Sequence, residues 1–401
     1  MNKKEAYSLA LILLFFLLFN PFVALIFSVL LPIKDPKYKI IFSIFFSISF
    51  ALLFSSREFG VEFYGTQSTD DAANYISIFK SYPNRTYLDL FQFFLEKPSG
   101  GEFGYHFFYK TISLFVSNEY FIVWINHFIY FFILSYIVNR LSENKQSLLL
   151  LGYFFIFPIS LYNIGHIWRQ QFAVLLFYLG IFFYYETNHK KLGKYLIYSI
   201  FLVHLSSFFY IFIFIIFEFF RRNNNITKYK IILLIVFFVV IEKVFFETVV
   251  LILTYFDLNK LLMYAEGFSA DKSQFFILLP IYIFIVLLFL RFESGSVIYL
   301  FFLAYILVCL TLPIAIPTLN SVYDRYINFS IPLIGLFFAK RIVYYKNKYI
   351  FICGFIIILL VGFYRLGGEL NKGVGIISYI GNGSVSDPFL GMVKLIVLYL
   401  I

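Results

Sequence analysis

The chain has 401 residues, of which 61% are hydrophobic and 13% charged, and it carries a formal net charge of +10. Apolar runs long enough to cross a bilayer, about 20 residues for a core of about 30 Å, recur along the whole length, which excludes a soluble globular protein. The basic residues sit in short loops between those runs, so the positive charge reads as membrane orientation and not as a nucleic-acid surface.

The first run, Ala6 to Ile33, is unbroken and too long for a signal peptide, so it reads as a helix that stays. Tyr38 to Phe54 is the second span. After it comes the longest polar stretch, Ser55 to Tyr120, with eight acidic residues against five basic ones, as suits an outer loop. Further spans are expected at Phe121 to Val138, Ser147 to Tyr162, Arg169 to Tyr185, Tyr195 to Phe220, Tyr229 to Phe246, Phe275 to Leu290, Val297 to Leu312, Tyr326 to Phe338 and Tyr349 to Phe363, with a short one from Phe389. Glu247 to Tyr264 has the pattern of an amphipathic helix in the interface, and 247–274 reads as a second outer loop. The expected architecture is all-α: one integral domain, 1–401, a polytopic transmembrane bundle of about 11–12 membrane segments with a long extracytoplasmic loop over 55–120. Cys309 and Cys353 both lie in apolar runs and read as small core residues. The 59 Phe and 33 Tyr match a coding bias as well as lipid adaptation, and no chemistry is drawn from aromatic stripes.

Basic residues concentrate in Lys34 to Lys39, Asn139 to Lys145, Asn188 to Lys194, Arg221 to Lys230 and Lys340 to Lys348. If every apolar run crosses once, the third and fourth of these loops fall on opposite sides, against the positive-inside rule. The run at fault is Tyr195 to Phe220, whose 26 residues would make a helix of roughly 39 Å but which holds His204, Ser206 and Ser207 near its middle. Read as two half-helices that reach about the midplane and fold back, it returns every basic loop to one side and leaves Lys3 and Lys4 outside. Broken backbone at that depth requires a protein-lined or watery cavity. A single tilted helix is the rival reading.

With that threading Arg57, Glu58, Asp70, Asp71, Glu102, His106, His166, Arg169, Asp324 and Arg325 collect on the outer face, with His204 reaching toward them. Arg169 has two readings: a side chain snorkelling to head groups, or, with Arg325, a site for an anion whose oxygens match guanidinium forks. His204 likewise is either a core histidine bonded to a carbonyl or a general base, imidazole being the side chain that titrates nearest neutrality. The histidines His106, His127, His166 and His189 have no metal-ligand spacing, so no metal is expected.

Five short motifs follow one another: Asp71-Ala-Ala-Asn-Tyr75; Glu102-Phe-Gly-Tyr-His-Phe-Phe-Tyr-Lys110; Arg169-Gln170; Val203-His-Leu-Ser-Ser207; and Asp324-Arg-Tyr326. Their order and shared face resemble the EpsG-like branch of the Wzy-type polysaccharide polymerases over roughly Arg57 to Phe338, with a longer insertion between Asp71 and Glu102. The resemblance implies a GT-C-like enzyme of the bacterial inner membrane whose active site faces outside. It would join undecaprenyl-pyrophosphate-linked oligosaccharide repeat units into capsule, exopolysaccharide or O-antigen. It implies no cofactor, nucleotide sugar, metal or nucleic acid, and as partners the lipid-linked donor and acceptor, membrane lipid, a chain-length regulator and a flippase.

His204, Arg169 and Arg325 would then be catalytic. Arg57, Glu58, Asp70, Asp71, Tyr75, Glu102, His106, His166, Gln170, Ser207, Tyr323, Asp324 and Tyr326 would bind substrate. Two other classes fit the composition. A flippase or exporter of the same lipid would carry internal repeats and ionisable residues through the membrane depth. A membrane O-acyltransferase would also use a membrane histidine.

Overall fold

The computed structural model describes residues 3–19, 21–30, 36–55, 71–96, 103–118, 121–141, 167–204, 207–221, 228–255, 272–291, 296–315 and 320–339, with scattered helical positions between 349 and 364. The described residues contain no strand, so the all-α expectation holds. In order the helices are α1 (Lys3–Phe19), α2 (Pro21–Leu30), α3 (Pro36–Ser55), α4 (Asp71–Ser81), a 3-10 turn (Tyr82–Asn84), α5 (Tyr87–Glu96), α6 (Phe103–Ser113) and α7 (Phe121–Leu141). They continue as α8 (Trp168–Glu186), α9 (Lys190–Val203), α10 (Phe208–Arg221), α11 (Lys228–Tyr255), α12 (Lys272–Arg291), α13 (Val297–Ala315) and α14 (Asn320–Ala339). Two compact units divide the chain, Met1–Phe209 with Arg365–Ile401, and Tyr210–Tyr364.

Two expectations change. The first apolar run is two helices, because Pro21 opens α2 and a proline pushes the residue before it out of helical geometry. The stretch from Glu247 is not a separate interfacial helix at its start: α11 runs unbroken through it to Tyr255, since neither glycine nor proline interrupts its 28 residues. The stretch expected as an outer loop, Ser55 to Tyr120, carries α4, α5, α6 and the 3-10 turn among its described residues. The spans expected at Ser147 to Tyr162 and from Phe389 lie outside the described residues. By length and apolarity α7 is the one described helix able to cross a membrane, and shorter apolar helical stretches occupy Lys39–Ser55, Val297–Thr311 and Ile352–Gly362.

The first unit is organised around α3, α7, α8 and α9. Helices α3 and α7 are antiparallel along a seam of small polar groups: Lys39 Nζ donates to the Asn139 carbonyl at 3.1 Å, Asn139 Nδ2 to Ser43 Oγ at 2.5 Å, and the Ser47 and Ser135 hydroxyls are 3.3 Å apart. Such residues allow close approach and hydrogen bonding across helices. Aromatic packing continues the seam, with Phe50 stacked on Phe131 at 4.6 Å and Phe54 on His127 at 5.4 Å. Helix α8 runs parallel to α7, touching it at Asn126 with Gln171 near one end and at Tyr136 with Phe182 toward the other. Lys39, Arg140 and the turn into Lys190, Lys191 and Lys194 therefore lie at one end of this unit, a segregation that the charge pattern of the sequence anticipates.

Helices α8 and α9 form an antiparallel hairpin closed by two glycines. A Cβ on Gly193 would lie 2.7 Å from the Gly180 carbonyl oxygen and 2.7 Å from the Tyr184 nitrogen, and one on Gly180 would lie 2.8 Å from Ile197 Cγ1. Eleven residues, about three helical turns, separate Gly180 from Arg169 and Gly193 from His204, in opposite directions along the two helices. The register therefore carries His204 level with Arg169 at the head of α8. The expected break is present, because α9 stops at Val203, but it comes level with the start of α8 and not half-way along it. Tight glycine contact sets that depth.

In the second unit Tyr210 of α10 packs against Tyr305 of α13 at 5.9 Å and Tyr326 of α14 at 5.2 Å, and Phe217 meets Phe301 edge-on at 5.0 Å.

Substituting Gly193→Ala forces helix α9 off α8 and is expected to cost about 1–3 kcal/mol, as overpacking does. The thermal midpoint of the detergent-purified protein checks this, and a midpoint equal to wild type would contradict the close approach.

Candidate functional site

At the end of the first unit opposite its basic turns, four of the sequence motifs meet. Asp71 begins α4, and one turn on Tyr75 is buried with its ring stacked on Trp168 at 5.1 Å and 16°. Arg169, partly buried at the head of α8, donates Nε–H to the Tyr75 hydroxyl at 3.2 Å and lies 5.8 Å from the centre of its ring. The second tyrosine of the cluster, Tyr105 on α6, lies 5.6 Å from Tyr75 and 6.3 Å from Phe172 of α8.

The start of α6 also touches the end of α9: a Cβ on Gly104 would be 3.0 Å from the Leu202 carbonyl oxygen and 3.3 Å from Val203 Cγ2. Only glycine suits that approach. Two residues after Leu202, His204 leaves the helix in extended geometry (φ −154°, ψ 120°), its N–H bonded to the Ile200 carbonyl at 3.0 Å and its own carbonyl accepting from Ser207 N–H at 2.9 Å. Ser207 is buried, and its hydroxyl has no hydrogen-bond partner among the described residues.

A second layer stands behind these groups. Tyr82 Oη and His106 Nδ1 are hydrogen-bonded at 2.5 Å, both buried, and the buried Lys110 ammonium donates to the Tyr82 carbonyl at 2.6 Å and caps the 3-10 turn. Burial pushes the Tyr82 phenol up, only partly opposed by Arg85 and Arg169, and burial likewise raises Tyr105 and Tyr109. All three phenols therefore stay protonated at neutral pH. Tyr109 O–H donates to Asn126 Oδ1 at 2.7 Å and Asn126 Nδ2 to Gln171 Oε1 at 3.0 Å, a buried chain that joins α6, α7 and α8. Beside it His127 Nδ1 lies 2.7 Å from the Val123 carbonyl and its ring meets Trp168 edge-on at 5.7 Å.

Of the residues singled out in the sequence, Tyr75, His106, Arg169, Gln170, His204 and Ser207 lie in this unit, with His106, Gln170 and Ser207 buried. Arg57, Glu58, Asp70, Glu102 and His166 lie outside the described residues, and Asp71 is described only as the first residue of α4. Tyr323, Asp324 and Arg325 are carried by α14 in the second unit, where Tyr326 is a buried core ring against Tyr210. Among the described residues no three His, Cys, Asp or Glu side chains gather in a ligating arrangement.

Sequence reading missed Tyr82, Tyr105, Tyr109, Lys110, Asn126, Trp168 and Gln171. The amides carried a usable signal, because Asn126 beside His127 and Gln171 beside Gln170 are polar groups in apolar helices. The tyrosines carried none against a background of 33.

Replacing Asn126 with Leu leaves the Tyr109 hydroxyl and the Gln171 carbonyl buried without partners, an expected loss of about 1–3 kcal/mol. Tyr109→Phe should cost less, since the Asn126–Gln171 bond survives. Thermal unfolding of both variants distinguishes these, and equal losses would contradict the central place of Asn126.

Comparison with known proteins adds one match. The family model for the EpsG family aligns with residues 59–380, which is more than half of the chain. Searches of curated proteins and of solved structures each return no match. The matched span covers the Asp71, Glu102, Arg169, His204 and Asp324 motifs alike. The chain therefore belongs to the EpsG family, membrane proteins of polysaccharide biosynthesis.

Proposed function

We propose that the protein is a polysaccharide polymerase that joins undecaprenyl-pyrophosphate-linked oligosaccharide repeat units on the outer face of the bacterial inner membrane, by glycosyl transfer. The observation behind this is the meeting of Tyr75, Gly104, Arg169 and the end of α9 at one end of a unit whose basic segments occupy the other. By the positive-inside rule the basic end faces the cytoplasm, which directs the candidate site outward.

In this reaction a hydroxyl of the acceptor sugar attacks the anomeric carbon of the donor. Its proton passes to a base, and the bond to the pyrophosphate oxygen breaks. The departing group carries much of the developing charge, so charge stabilisation matters more than a general acid. Arg169 supplies a fixed guanidinium near head-group depth, and His204, held level with it by the hairpin register, is the proton acceptor. Helix α9 ends at Val203 and α10 begins at Phe208, so the long apolar run between two basic loops is broken where it comes level with Arg169, which suits a segment that enters and returns.

Purified protein supplied with a lipid-linked repeat unit should form longer lipid-linked chains. Arg169→Lys keeps the charge but loses the fork, and His204→Gln keeps a donor but cannot take up a proton. Each is expected to lower turnover about 10²-fold or more with folding intact. Near wild-type turnover in His204→Gln would reduce that residue to a structural role. Acetylated product would mean an acyltransferase, and a change of sidedness without longer chains a flippase.

Cysteines introduced singly in 188–194 and in 221–230 are both expected to resist an impermeant thiol reagent applied from outside. Labelling of one loop alone would contradict the returning segment.

A further inference from the structure

We propose that Tyr75 is a positioning residue for Arg169: its phenol fixes the guanidinium in the orientation that receives the donor's pyrophosphate, and the ring itself does not bind sugar. This rests on the pyrophosphate reading of Arg169 given above.

Three observations converge on it. The Tyr75 hydroxyl accepts from Arg169 Nε at 3.2 Å, and the guanidinium carbon lies 5.8 Å from the ring centre, so the tyrosine engages the arginine through its oxygen edge. The ring is buried and stacked on Trp168, the residue next to Arg169, with Tyr105 packed against it at 5.6 Å. A ring so enclosed has little face to offer a sugar. Its support comes from α4, α6 and α8 together, so the hydroxyl is a rigid acceptor.

An arginine side chain otherwise gives up rotamer entropy on binding, and a preorganised fork loses less. With Nε–H held by Tyr75 the plane of the guanidinium is set, and a planar fork matches phosphate oxygens as a point charge does not. Lysine has no Nε to be held in this way. The tyrosine therefore matters only while an arginine stands at position 169.

The test is a double-variant cycle on the full-length protein in detergent, read by titration with inorganic pyrophosphate. Tyr75→Phe keeps the stacked ring and removes the acceptor, and is expected to weaken pyrophosphate binding about tenfold with an unchanged melting midpoint. Arg169→Lys is expected to weaken it at least as much, and Tyr75→Phe added to Arg169→Lys to cost nothing further. Wild-type affinity in Tyr75→Phe overturns the proposal. So does an equal loss from Tyr75→Phe in the arginine and lysine backgrounds, which would mean that the phenol acts independently of Arg169. Absence of pyrophosphate binding in the wild type overturns it as well. Should Tyr75→Phe destabilise the protein, Trp168→Phe is the second arm: it disturbs the stack but leaves the Tyr75 acceptor, and is expected to weaken binding less than Tyr75→Phe does. An equal or greater loss would trace the effect to the stack and overturn the assignment to the hydroxyl. Chain growth from the lipid-linked repeat unit is followed in parallel. Coupled pyrophosphate binding without chain growth would reject the polymerase reaction while upholding the pairing of Tyr75 with Arg169, and chain growth without coupling would do the reverse.

Discussion

The approach of Gly180 to Gly193 is the constraint on which the candidate site depends. Two helices whose backbones come this close have little freedom to slide, because any slip drives Ile197 or Tyr184 into the neighbouring backbone. Dispersion across such a contact is strong in a membrane, where the hydrophobic effect between helices is lost. Arg169 and His204 sit at the far ends of that hairpin and inherit its register. Gly104 completes the arrangement by letting α6 press its first turn on Leu202 and Val203.

Polar groups in this corner are arranged in two kinds. Tyr109, Asn126 and Gln171 form a hydrogen-bonded chain inside the bundle, and lashing α6, α7 and α8 together is their work. Arg169 stands at the edge, half-buried, and Tyr75, Trp168 and Tyr105 hold it from below. A fully buried guanidinium would lose more in desolvation than its contacts return, whereas one at the rim keeps part of its hydration. The protonated phenols around it add no charge of their own.

Charge is sorted along the same axis. Lys39 and Arg140 meet at one end of the α3–α7 pair, and the α8–α9 turn brings Lys190, Lys191 and Lys194 to that end as well. The opposite end carries the aromatic and arginine cluster.

Much of this was legible in the sequence. Helical class, membrane character and the break at His204 followed from apolar runs, from the spacing of basic loops and from a polar tetrapeptide inside a run too long to cross once. The order of the motifs was enough for the family, because order along a chain is a one-dimensional property. Depth and partnership were not. That Asn20–Pro21 divides the first run was open to inspection, since proline acts locally, but α11 running on through Glu247 was not, because three charges do not end a helix that packing supports. Tyr75 meets Arg169 94 positions on, and Asn126, Gln171 and Tyr82 found partners 45, 45 and 24 positions away in the chain, distances across which sequence carries no geometry. The sequence by itself determined what kinds of groups would be present and on which end of a helix each would fall. Only the tertiary structure decided which of them touch, because contact depends on helix register, and register here was set by the missing side chains of Gly104, Gly180 and Gly193.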